Sequence, residues 1–207
     1  GNCGGGLVSL NISDPDTSTV NGLIPGTTYY IRVFSYGANT NATTTFDICV
    51  GTFPPPPAND NCADAVMLTV NPDASCAAVS PGDLTSATDS GEGDNGVGTP
   101  NDDVWYKFVA TATSHRITLT GVTGTPTDLV HEVLEGNCGG GLISLNISDP
   151  DTSNLTNLIP GNTYYVRIFS YGTATGATTS FDVCVGTFPP PPANDDCPNA
   201  IALTVNP

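Results

Sequence analysis

Residues 103–109 read Asp-Val-Trp-Tyr-Lys-Phe-Val, and this short run decides the fold class. Val104, Tyr106 and Phe108 alternate with Trp105, Lys107 and Val109. Successive side chains of a strand point to opposite faces, so such alternation marks a strand that covers a core. The pattern extends outward. Ile117 and Leu119 alternate with Arg116, Thr118 and Thr120, and Val66, Leu68 and Val70 alternate with Ala65, Met67 and Thr69. Further strands are predicted over 128–134, 142–147, 163–170 and 179–185, separated by breaks such as Gly91–Gly98 and Gly139–Gly141. The 23 glycines and 18 prolines disfavour helices, where they cost most. The predicted fold is all-β: tandem β-sandwich, jelly-roll-like domains joined by Pro-rich linkers.

A repeat organises the chain. Residues 1–72 recur as 136–207 at a constant offset of 135, without a gap, and 54 of the 72 positions are identical. Most differences are Val/Ile, Thr/Asn or Asn/Asp exchanges, which hardly change volume or pattern. Each copy contains four consecutive prolines, Pro54–Pro57 and Pro189–Pro192. Such a tract cannot join a ladder and favours stiff polyproline II, which makes it a natural domain boundary. The expected organisation follows: 1–53 as the C-terminal part of a preceding repeat, 54–57 as a linker, and 58–188 as a complete sandwich. A second linker, 189–192, leads to 193–207, the first strand of a following repeat. On this reading the sequence is an excerpt of a longer array.

The seven cysteines are Cys3, Cys49, Cys62, Cys76, Cys138, Cys184 and Cys197. One period holds four of them, the even number a disulfide framework requires. The simplest pairing is Cys62–Cys76 with Cys138–Cys184, and Cys3–Cys49 repeating the latter. The alternative crosses the linkers, Cys49–Cys62 and Cys184–Cys197. Spacing alone leaves both open. No close Cys-x-x-Cys pair points to zinc. Disulfides imply an oxidising compartment, outside the cell or on its surface.

The motif order AND-x-C-x-x-A-x-x-L (58–68), DDVWYKF (102–108), ITL (117–119), PGNTYYVRI (160–168) and SFDVCV (180–185) resembles the pre-peptidase C-terminal domain. The likeness is nearest to the cysteine-containing version in secreted and surface proteins of Bacteroidota. The resemblance implies a non-catalytic β-sandwich used as an accessory, adhesive or spacer domain. It also implies a calcium site at Asn59, Asp60, Asp102 and Asp103, repeated at Asn194 and Asp195, since calcium takes several convergent oxygens. This sequence departs from the pattern by placing prolines where those relatives carry glutamates. The competing reading is a turn made by Asn59-Asp60 and a solvated acidic loop, and no other cofactor is expected. Asp149-Pro150-Asp151 reads as a turn.

Chemistry is scarce. His115 and His131 are the only imidazoles, and His131 is expected as a surface or partly buried strand residue. No Ser-nucleophile elbow or phosphate-cradling motif appears. The chain is therefore not expected to be an enzyme. Four Lys plus Arg against twenty Asp plus Glu leave a formal charge of −16, which argues against nucleic acid and anionic lipid. No apolar run is long enough to insert in a membrane. Asn11, Asn41, Asn146 and Asn154 begin N-x-S/T sequons and are candidate glycosylation positions. Tyr171 and its counterpart Tyr36 suggest packing at a strand end, with sugar stacking as the rival role.

The function expected is that of an extracellular structural protein, a surface filament or adhesin stalk whose partners are copies of itself. A donated strand could join neighbours through Ala200, Ile201, Leu203 and Val205. The alternatives are a module binding glycans or cell-surface proteins, and an accessory domain of a secreted hydrolase.

Overall fold

The computed structural model describes residues 4–38, 41–173, 176–188, 192 and 194–205. The chain divides into two compact units, Gly1–Gly51 and Thr52–Pro207. In the first, no β-strand forms among the described residues, and its large apolar side chains, such as Leu7, Ile31, Phe34 and Phe46, are exposed.

The second unit is a sandwich of two sheets. Its strands are β1 (Val66–Met67), β2 (Val70–Asn71), β3 (Ser80–Asp83), β4 (Val104–Val109), β5 (His115–Thr123), β6 (Leu129–Asn137), β7 (Gly141–Ser148), β8 (Thr152–Leu155), β9 (Thr163–Ser170) and β10 (Ser180–Thr187). One sheet has the order β1-β4-β9-β6-β7; the other runs β2-β10-β5-β8, with β3 beside β2 on the same edge of β10. The main core fills the space between the sheets. Val104, Tyr106, Phe108, Ile117, Val133, Val166, Ile168, Phe181, Val183 and Val185 all lie in it. The alternation at 103–109 and 116–120 thus does what the sequence predicted. A sandwich is shown; the Pro tract 189–192 and the start of the following segment lie largely outside the described residues.

The opening segment departs from expectation. Val66 was predicted on the core face with Leu68 and Val70, yet it is exposed while Leu68 is buried. The chain changes sheets here: β1 pairs with β4 and β2 pairs with β10, both in parallel. A segment that crosses from one layer to the other cannot keep one face inward. Because this segment pairs within its own unit, no donated strand is needed to complete the sandwich. Its counterpart, Ala200 to Val205, forms no strand and is exposed.

The disulfides join Cys62 to Cys138 and Cys76 to Cys184. Both pairings expected from spacing are thereby corrected. Cys76 follows β2, which lies against β10, so the nearest sulfur belongs to Cys184 on that strand. Cys62 packs beside Trp105 and Leu134 on the outer face of the other sheet, where the β6–β7 turn brings Cys138. That turn opens at Gly136, with φ +112°, where a Cβ would lie 2.1 Å from the Gly141 carbonyl oxygen. Only glycine fits there. Cys49 and Cys197 are exposed and unbonded, and Cys3 lies outside the described residues.

Candidate functional site

The most elaborate polar cluster sits on the outer face of the first sheet. Trp105 on β4 and Glu132 on β6 both stand opposite Arg167 on β9, so three neighbouring strands place their side chains in one row. All three are fully buried. The guanidinium donates from Nη2 and Nε to Glu132 Oε2 at 2.6 and 3.1 Å, lies 3.7 Å from Asp103, and stacks 5.4 Å from the rings of Trp105 and Phe169. Its remaining protons go to the carbonyls of Glu92 and Gly93, at 3.3 and 2.8 Å. Asn95 donates to the other oxygen of Glu132. A buried charge is tolerable only with partners on every side, and Arg167 has them. The consequence is structural: the 85–103 loop is tied down over the sheet.

Three aspartates, two on that loop and one bound to it, repeat one device. Asp60 accepts from the amide and hydroxyl of Thr88 (2.7 and 2.6 Å), Asp103 from those of Ser90 (2.9 and 2.6 Å), and Asp102 from those of Ser170 (3.0 and 2.6 Å). Asn59 donates to the Trp105 carbonyl at 2.9 Å. The four residues proposed for calcium are thus sent to four different partners and do not converge. Burial raises the Asp102 carboxyl and pushes Asp103 up to about 6, against the opposing pull of Ser90 and Arg167. Among the described residues, three metal-ligating side chains come together only at Cys62, Glu92 and Cys138. There the two sulfurs are bonded to each other, and a disulfide offers no thiolate to a metal.

A cleft of ≈ 170 Å³ lies beside this cluster, lined by Glu92, Gly93, Asn95, Leu134, Gly140 and Leu142. The Glu92 carboxylate accepts from the Gly139 and Gly140 amides at 2.6 and 3.3 Å, so its oxygens are engaged by the β6–β7 turn. Among the described residues, no aromatic ring lines the cleft. Tyr171, nearly half exposed, stands at the end of β9, where its backbone amide bonds Asp128.

His131 corrects its expectation, being fully buried between the sheets. Its Nε2 lies 2.7 Å from Ser153 Oγ, and burial lowers its pKa to about 4. A neutral imidazole sharing a hydrogen bond with a buried serine resembles part of a hydrolytic dyad. Yet among the described residues Nδ1 has no partner to orient the ring, and both side chains are buried. His115 is likewise buried; its ring takes the amides of Thr111 and Ala112 at 3.1 and 3.2 Å and faces the Gly186 carbonyl. Of the sequon asparagines, Asn11, Asn41 and Asn154 are exposed, whereas Asn146 is half-buried on β7. Arg116 donates to Asn154 at 3.0 Å. Asp149 and Asp151 are exposed in the β7–β8 turn, as predicted. The Arg167–Glu132–Trp105 row was missed. A lone Arg within an apolar strand pattern was its one available signal.

Residues 58–183 match a family described as galactose binding domain-like and named for its association with T9SS. The chain belongs to that family. The galactose binding domain-like match covers the β-sandwich and is not specifically the pre-peptidase C-terminal domain that the motifs resemble. No curated protein matches. Among solved structures, the periplasmic inhibitor of g-type lysozyme PliG from Aeromonas hydrophila is similar at 15% identity and a TM-score of 0.34. The similarity covers 58% of this chain and 98% of that one. No helix among the described residues is long and apolar enough to cross a membrane.

Proposed function

We propose that this chain serves in an extracellular, non-catalytic protein of structural or adhesive role, in which the galactose binding domain-like sandwich recurs along one polypeptide. The observation that carries this reading is the cross-bracing of the repeated unit. Cys76–Cys184 and Cys62–Cys138 span sequence separations of 108 and 76, tying the opening segment to the last strand and to the middle of the domain. Disulfides closing long loops resist unfolding and suit an oxidising exterior. The T9SS association of the family supports the same address. The buried histidines and the fully engaged carboxylates support a role without chemistry, and this reading needs no cofactor.

Negative-stain microscopy and intact-mass measurement of native material test it. Threads or stalks built from many 135-residue periods are expected, and compact single particles of about one unit's mass would end the proposal.

A second reading is favoured by the family description: a module that binds glycans beside or within such an array. The purified chain on a panel of immobilised glycans separates the two. Saturable binding of one sugar class establishes the second reading, and uniform background leaves the structural role.

A further inference from the structure

The polypeptide comes into the sandwich near Ala58 and leaves it near Phe188. Between these points the order of the sulfurs decides how a pull on the two ends is carried. From Ala58 tension runs through Cys62 along β1 and β2 to Cys76, crosses to Cys184, and leaves within a few residues. Strands β3 to β9 hang outside that path. The Cys76–Cys184 bond removes a sequence separation of 108 from what can be drawn out. Cys62–Cys138 alone would route tension the long way, through β7 to β10.

The non-covalent contacts at the same place agree with this routing. β2 runs parallel to β10, with Val70 opposite Val185 and Asn71 opposite Gly186. Tension entering β2 from its start and leaving β10 at its end slides the two strands past each other. Their bonds are then loaded together, not opened one at a time. Asn71, buried, ties this junction: its side chain donates to the Val185 and Ala78 carbonyls (3.1 and 2.8 Å) and accepts from the Ala78 amide at 2.7 Å. Thr187 donates to the Asn71 carbonyl at 2.7 Å.

From this geometry we infer that the unit bears tension with a covalent stop to its extension, and that Cys76–Cys184 alone sets the stop. Cys62–Cys138 is a second tier that takes the load only when the first bond is open. This inference rests on the structural reading above and gives the disulfides distinct mechanical roles. At roughly 3.5 Å per extended residue, the oxidised unit can lengthen to about 80 Å, whereas the reduced unit reaches about 450 Å. With only Cys62–Cys138 closed, the limit is roughly 190 Å.

Single-molecule stretching of the full chain between handles at its ends tests this, in a background carrying Cys3→Ser, Cys49→Ser and Cys197→Ser. Adding reductant is expected to lengthen the fully extended chain by about 370 Å. Cys76→Ser with Cys184→Ser is expected to add about 110 Å under oxidising conditions, and Cys62→Ser with Cys138→Ser nothing. Equal lengths with and without reductant overturn the inference. So does a longer chain on loss of Cys62–Cys138 alone. Should the Cys76/Cys184 variant fail to fold, the reductant comparison and the Cys62/Cys138 variant still decide. The outcome is independent of the microscopy: a stop of the expected length in a protein that forms no array would retain the mechanics and refute the assembly.

Discussion

Residues 1–53 and 136–188 are identical at 40 of 53 positions, yet among the described residues only the second forms strands. Both carry the same alternation, the same Tyr-Tyr pair and the same arginine. The difference lies in the pairing scheme. The later copy supplies β7 to β10, and none of these four strands pairs with another of the four. β7 lies on β6, β8 on β5, β9 between β4 and β6, and β10 beside β2, β3 and β5. Every ladder bond that orders the second half comes from residues 66–137. Within residues 1–207 that first half pairs with 136–188. The lesson is that alternation supplies a strand's faces but not its edges. A half-repeat with good pattern and no partner has no ladder to join, and backbone groups left unpaired in a sheet interior are costly.

The comparison can be broken most sharply at the duplicated arginine. Arg167→Ala is expected to destabilise the sandwich by about 3–5 kcal/mol in urea unfolding, because Glu132 stays behind buried and unpaired. Arg32→Ala, the same change in the first copy, is expected to fall within about 0.5 kcal/mol. Equal losses would mean that residues 1–53 build the same sheet.

Loss of a single disulfide comes next in size. Opening Cys62–Cys138 alone, by Cys62→Ser with Cys138→Ser, is expected to cost the sandwich about 2–5 kcal/mol, read as a shifted unfolding midpoint. An unchanged midpoint would show that this cross-brace adds nothing to the fold.

A smaller effect comes from pH, and it belongs to the half with no duplicate in this chain. Burial raises Asp103 to about 6, so its contribution is present below the unfolded value near 3.8 and lost as pH rises through about 6. His131 is lowered to about 4, so its contribution is present above 6.5 and lost as pH falls through about 4. The two oppose each other between these limits. Asp103→Asn should therefore steepen the loss of stability on acidification from pH 6.5 to 4, and His131→Phe should reverse its sign. Identical pH profiles for the parent and both variants would refute the assignment.

The smallest perturbation only reads the difference. Alkylation without reductant is expected to label Cys49 and Cys197 and to spare their equivalents Cys184 and Cys62, as peptide mapping would show. Labelled Cys184 would mean the bridge does not form.

Much of the fold was legible from particular residues. Val104-Tyr106-Phe108 and Ile117-Leu119 announced β4 and β5, and the patterns at 163–170 and 179–185 match β9 and β10 almost to the residue. Two strands were missed for identifiable reasons. β3 contains Pro81 and Gly82, residues depleted in strands. β8 is four residues with a single apolar one, too short to alternate. In the candidate site, Asn59, Asp60, Asp102 and Asp103 were singled out as calcium ligands, and the structure engages each with a different partner. Their roles differ from those expected, because each carboxylate finds a nearby serine or threonine and its amide.

The amino-acid order alone determined that this is an all-β, duplicated chain with an even sulfur count per period, since alternation, repetition and parity are properties of neighbours along the chain. Only the tertiary structure decided which sulfurs meet, that Arg167, Glu132 and His131 are fully buried, and that, among the described residues, the later of two near-identical copies is the one ordered into sheets. Those outcomes depend on contacts between residues as many as 108 positions apart, and no local pattern encodes which distant strand will lie alongside.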